Sequence, residues 1–335
     1  MRNTFLIYVL IFVIGVAKAK DYLHPSPSDP GYLDESHRFM FFESYWLNMQ
    51  HWMYNMSLYA QDTPINEVIG ERYNDFSDSE KEVIDTSVDY YQREVLQHDL
   101  RFGELTFYFK RWVITQSAAE LVDVPQEFQG IAGVLQQMKS IYDSYYWPEH
   151  HQQNLKVLSE NIEMIKALED TAVTDLEKIC HASWQEEKIR VDISYHSKYE
   201  RPYTTITPAA HIVMDSKRNH SPIGNWFELL LHETSHHMIH DSHGFVGGTI
   251  LDVANIGNYR LPRQLSHSYL FYFSGIVARR HLQAYDPDYE LYMMRRGVFK
   301  KLHEVLEKHL DPYITGNISL HDATVNLMED YWQPD

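Results

Sequence analysis

Apolar residues recur at helical spacing through most of the first half of the chain. From Ser36 to Tyr59, Phe39, Phe42, Trp46, Met49, Met53 and Met56 fall three or four positions apart, which predicts a helix with one core-facing stripe. Asp78-Ser79-Glu80 opens a second helix near Lys81–His98, and similar patterns cover Leu105–Val122, Phe128–Tyr146 and Gln152–Trp184. In the last of these, Leu155, Leu158, Ile162, Ile165 and Leu168 share one face. Lys20–Leu33 is rich in Pro, Ser and Asp and reads as a loose arm.

At Ile189 the texture changes. Ile189–Tyr195 alternates apolar residues with Arg, Asp and Ser, as a half-buried strand does. Tyr203–Asp215 is β-rich, with Pro208 marking a bulge or an edge. Asn225–His240 is helical, and Phe245–Leu261 reads as a Gly-containing connection. Gln264–Tyr285 is a helix apolar nearly all round, hence buried. Tyr289–Leu310 and Leu320–Tyr331 are helical again. The expected fold class is α+β, mainly α with a small β-sheet. A helical N-terminal region over 20–187 and a second region over 188–335 are expected to pack as one unit.

Composition narrows the function classes. The 335 residues are 44% hydrophobic and 23% charged, values of an ordinary globular protein rather than a disordered one. A net charge of −18 argues against a nucleic-acid partner, because such proteins work by neutralising phosphates. The single cysteine, Cys180, rules out a disulfide framework and a Cys-based zinc site, and it reads as a buried small apolar residue. At the start, Arg2 precedes an apolar run, Phe5–Ala17, and Ala17-Lys18-Ala19 has the small-x-small form of a cleavage site. Residues 1–19 therefore read as a signal peptide, and the mature protein as secreted or periplasmic, without stable membrane insertion after cleavage. The run is too short to span a bilayer, which takes ~20 residues. His150-His151 and His98 read as exposed residues, and His211 as a surface position on its strand. Asn55-Met-Ser, Asn219-His-Ser and Asn317-Ile-Ser match the glycosylation triplet, which is common by chance.

Twenty histidines are the main lead, and the chemistry concentrates at His232-Glu233-Thr234-Ser235-His236, an H-E-x-x-H pattern. Residues four apart project from one side of a helix, so two imidazoles can grip one tetrahedral cation. Glu233 follows the first ligand, where it can take a proton from water that the metal has acidified to a pKa of about 7. A catalytic site needs a third protein ligand and leaves the fourth position open. The metzincin extension fails, since Ile239 stands where Gly is required and Ser242 where His is required. His240 lies roughly 12 Å of helical rise beyond His232. His243 could coordinate only through a sharp turn at Gly244, and Asp252 is the only acid between Asp241 and Asp286. His267, near the start of the next buried helix, is the preferred third ligand. On that helix Tyr272, or Tyr269, could donate a hydrogen bond to an oxyanion.

The order YTTITPAAHIVMD, ELLLHETSHH, SHSYLFYFSG, over Tyr203–Arg280, resembles a group of secreted bacterial proteins related to gluzincin metallopeptidases. Zincins place a substrate-lining edge strand before the H-E-x-x-H helix. The resemblance implies a zincin-like catalytic core with an N-terminal helical layer, and one zinc ion at His232, His236 and His267. It also implies Glu233 as general base and a peptide or protein substrate. It departs from classical gluzincins in offering His rather than Glu on the second helix. The reading is thus a zinc-dependent hydrolase, most simply a metallopeptidase. The alternatives are an exported metal-binding or structural protein without catalysis, and a His-rich scavenger of several weakly held ions.

Overall fold

A computed structural model describes residues 25–184, 187–198, 201–206, 209–218, 224–238, 244–262 and 264–331. The proposed signal segment, Ile239, His240, Ser242, His243, Pro208 and Asn219 lie outside them. The described chain is mainly helical with one small mixed sheet, an α+β architecture. It divides into two compact units. The first comprises residues 1–160 and 187–219, the second residues 161–186 and 220–335.

The first unit holds all five strands: β1 (Tyr32–Glu35), β2 (Phe39–Phe42), β3 (Ile189–Ser194), β4 (Tyr203–Thr205) and β5 (His211–Asp215). Their order is β1-β2-β3-β5-β4; β2, β3 and β5 run parallel, and β1 and β4 are antiparallel edges. Its helices are α1 (Tyr45–Tyr59), α2 (Ile65–Ile69), α3 (Asp78–Tyr90), α4 (Glu104–Val113), α5 (Gln129–Tyr145) and the start of α6 (Trp147–Cys180). The expected helix over Ser36–Tyr59 is two elements. Phe39-Met40-Phe41-Phe42 is a strand buried on both faces, and the helix begins only at Tyr45. A short, wholly apolar run has no period of its own, and parallel pairing with β3 decides it. The expected arm over Lys20–Leu33 ends sooner than its sequence suggests, since β1 begins at Tyr32. Helix α3 starts on a capping box, in which Ser77 Oγ accepts from Glu80 N at 3.3 Å and Ser77 N donates to Glu80 at 2.8 Å.

Strand β3 differs from its expectation in burial. All six residues are buried, the polar ones included. Asp192 accepts from Arg190 Nε at 2.6 Å, from His211 Nε2 at 2.8 Å and from the Ser44 hydroxyl. Burial alone would push its carboxyl up, yet the Arg190 guanidinium and the His211 hydrogen bond hold it well below the carboxylate range. On α1, His51 meets Ser194 at 3.1 Å and Tyr203 at 2.9 Å. His211 is therefore a core residue and not a surface one. So is His150, which bonds the Tyr142 hydroxyl at 2.9 Å and stacks on Tyr195. Asn55 is buried and donates to the His51 and Ser197 carbonyls, which removes it as a glycosylation acceptor in the folded chain.

The second unit is all helical: the rest of α6, then α7 (Asn225–Met238), α8 (Phe245–Gly257), α9 (Leu265–Leu282), α10 (Tyr292–Arg296), α11 (His303–Ile314) and α12 (Leu320–Tyr331). The expected connection at Phe245 is a helix. Val246, Ile250, Val253 and Ala254 bury one face, which outweighs roughly 1 kcal/mol for each glycine within it. Helix α9 is buried along most of its length, as its all-round apolar sequence implies. Cys180 is buried at the end of α6.

Candidate metal centre

Helix α7 is anchored by apolar bulk. Trp226, Phe227, Leu229, Leu230 and Leu231 are buried, and the small residues after them bury their hydroxyls by bonding back along the helix. Thr234 Oγ1 donates to the Leu230 carbonyl at 2.8 Å, and Ser235 Oγ to that of His232 at 2.6 Å. Helix α9 packs against it. The approach is close enough to require glycine at one point. A Cβ at Gly275 would stand 2.7 Å from Leu291 Cγ and 2.9 Å from Glu228 Oε1. Ser268 and Ser274 on α9 also bond back to their own helix, at 2.7 and 2.8 Å.

This packing brings His232 and His236 of α7 to His267 of α9. The three ring centroids form a nearly equilateral triangle, 4.9 Å between His232 and His236 and 5.0 Å on each side to His267. One ring nitrogen from each lies within 4.8 Å of the others. His232 Nε2 and His267 Nε2 are 3.1 Å apart. Nitrogens about 2.0–2.1 Å from one tetrahedral ion stand roughly 3.3 Å from each other, so the donor set fits a single metal ion after a closing of the cluster. Three neutral imidazoles are also a chemically apt set for a divalent transition metal.

The environment favours the unprotonated rings that a metal requires. Burial first, then the adjoining His236 and His267 rings, push the His232 imidazole well below its ordinary pKa, with the Leu270 carbonyl opposing in part. Its Nδ1 is buried and makes no hydrogen bond of good geometry. Phe271 of α9 stacks on the His232 ring, 3.6 Å between centroids and 21° between planes, and fixes its orientation.

Glu233 is buried beside His232 on α7. Tyr272 is buried, and its hydroxyl donates to Asp311 of α11 at 2.6 Å. Five positions after His267 on the same helix, it is turned roughly 140° from it; a role at an oxyanion would require giving up that bond. Tyr269 donates to Thr324 of α12 at 3.2 Å. Asp252, the other described contender for third ligand, is exposed on α8 and outside the cluster.

Three participants were not legible in the sequence. Glu228, one turn before His232, is fully buried and accepts from the Tyr289 hydroxyl at 2.7 Å and from Tyr292 N at 2.9 and 3.0 Å. Burial pushes its carboxyl up to about 7 against these bonds. It ties the segment leading into α10 to α7, the helix that carries His232 and His236. Tyr292 stacks on Phe271, 6.3 Å between centroids. Phe299, in the turn after α10, lies 5.6 Å from His267 and 5.9 Å from Phe271. It adopts φ 56°, a left-handed backbone that costs a non-glycine residue roughly 1–2 kcal/mol. Elsewhere in the unit, a cavity of about 410 Å³ is lined by Lys178, His181, Phe245 and Tyr313 among others, and by none of the three imidazoles.

Neither a protein-family model, nor a curated protein, nor a solved structure matches the chain. Among the described residues no helix is long and apolar enough to cross a membrane.

Proposed function

We propose that this protein is a zinc-dependent hydrolase acting on peptide bonds, exported by its N-terminal segment and built on a zincin-like site. The observation that carries the proposal is the convergence of His232, His236 and His267 on one focus, with a buried carboxylic residue directly after the first ligand. Three imidazoles leave one of four tetrahedral positions vacant, the arrangement of catalytic rather than structural zinc sites. A bound zinc ion supplies Lewis acidity toward a carbonyl oxygen and toward water. Glu233 takes the proton of the attacking water and returns it to the leaving amine. Phe271 holds the His232 ring in place and keeps solvent from its face.

Elemental analysis and turnover together test this reading. The wild type is expected to hold one zinc per chain and to cleave peptides. Glu233→Gln should keep the zinc and lose activity by at least about 100-fold, the low end of general-base contributions. His267→Ala should lose stoichiometric zinc. A Glu233→Gln variant as active as wild type would leave a metal-binding protein without this chemistry, and several loosely held ions per chain would make it a scavenger.

A further inference from the structure

Phe299 sits in a place that packing alone does not explain. After α10 the chain turns through Gly297 (φ 66°) into Phe299, and both are left-handed. Hydrogen bonds on either side lock the turn. Val298 N donates to the Met293 carbonyl at 2.9 Å, Leu302 N to the Phe299 carbonyl at 2.7 Å, and the His303 ring bonds the Val298 carbonyl at 2.7 Å. An aromatic residue seldom occupies such a backbone, and one that does persists only because its surroundings over-determine it. The ring is not fully buried in return, since Phe299 and Tyr292 both remain part-exposed. What the conformation achieves is an edge-on contact with His267 and Phe271. Phe271, stacked on His232, and Phe299, edge-on to His267, flank the imidazole triangle, and Tyr292 stacks in turn on Phe271.

We propose that Phe299, with Tyr292 and Phe271, forms a specificity wall that seats a large aromatic side chain of a peptide beside the metal centre. The inference rests on the hydrolase reading of the same site and deepens it. Aromatic rings prefer offset and edge-to-face partners at centroid separations of 4.5–7 Å, the spacing this wall already shows among its own members. An aromatic wall with Phe299 and Tyr292 part-exposed next to the reactive position discriminates by side-chain shape rather than by charge.

The test uses zinc-loaded full-length protein carrying Glu233→Gln, so that binding is read without turnover, and blocked peptides differing only in one Phe, Leu, Ala or Asp. The Phe peptide is expected to bind about tenfold more tightly than its Ala twin. Adding Phe299→Gly should reduce that ratio to within about threefold while zinc content stays at one per chain. Glycine accepts the left-handed turn without strain, so the thermal midpoint should hold or rise. Equal binding of Phe and Ala peptides, or a ratio unchanged by Phe299→Gly, would overturn the proposal. So would a sharply lowered midpoint with selectivity intact, which is the signature of a packing residue. Failure of the hydrolase reading is separately visible, as missing zinc or as turnover unaffected by Glu233→Gln alone, and peptide selectivity is measurable in either event.

Discussion

Glu228 does two things at once. Its carboxylate accepts from Tyr289 and Tyr292, and its burial raises its own pKa to about 7. In the unfolded chain the group ionises near 4.5. Between these values the folded state keeps a proton that the unfolded state has released. Glu228 therefore contributes its full stability below about pH 4.5 and loses it progressively as pH rises through 7. Glu228→Gln keeps an acceptor oxygen and removes the titration, and the Tyr289 hydroxyl can turn to accept from the amide. Measured by thermal melts from pH 4.5 to 8, the variant should gain on wild type by up to about 3 kcal/mol as the pH rises. A difference independent of pH would refute the assignment.

Between elements, the α7–α9 contact assembles the candidate metal centre, since two of the imidazoles come from one helix and the third from the other. Gly275 is where that contact is tightest. Both side chains a new methyl would meet are held. Leu291 offers its branch carbon, and Glu228 is fixed by its hydrogen bonds. Overpacking of this kind costs about 1–3 kcal/mol, against up to about 1 kcal/mol that alanine returns as a better helix former. Gly275→Ala should thus lower stability by about 1–2 kcal/mol in denaturant melts and weaken zinc retention, because His267 moves with its helix. Retention of zinc in a destabilised variant would mean that the helix pair tolerates more slack than the nitrogen spacing implies. Helical period announces α9 in the sequence, whereas the closeness of its approach is a matter of one missing side chain.

Across the molecule both units carry buried histidines that acid should unsettle. In the first, burial pushes His51, His150 and His211 down to about 3 each. The unfolded chain takes up those protons near 6.5, which the folded unit refuses, so the first unit loses stability as pH falls from about 6.5 toward 3. In the second, Glu228 favours the fold over much of the same descent, while His232 on the same helix, its imidazole pushed down by burial, opposes it. Hydrogen exchange, corrected for intrinsic rates, should show β3, β5 and α1 losing protection between pH 6.5 and 4. Protection in these elements that holds through that range would contradict the buried-histidine account. Two polar partners of these histidines, Asp192 and Ser194, stand in β3 in plain alternation, yet alternation reports only that two faces differ, and both faces of this strand are covered.

Local pattern determined by itself the helical character of the chain, the strands at Ile189 and His211, and the paired imidazoles of His232 and His236. Each of these depends on residues within a turn or a pleat of one another, where covalent geometry leaves few options. Only the tertiary structure decided that Phe39–Phe42 is a strand and that His150 and His211 are buried. It also brought His267 to the other two rings and turned Phe299 onto them. These are contacts between residues far apart in sequence, and what selects them is mutual burial and hydrogen-bond satisfaction, which no spacing along the chain records.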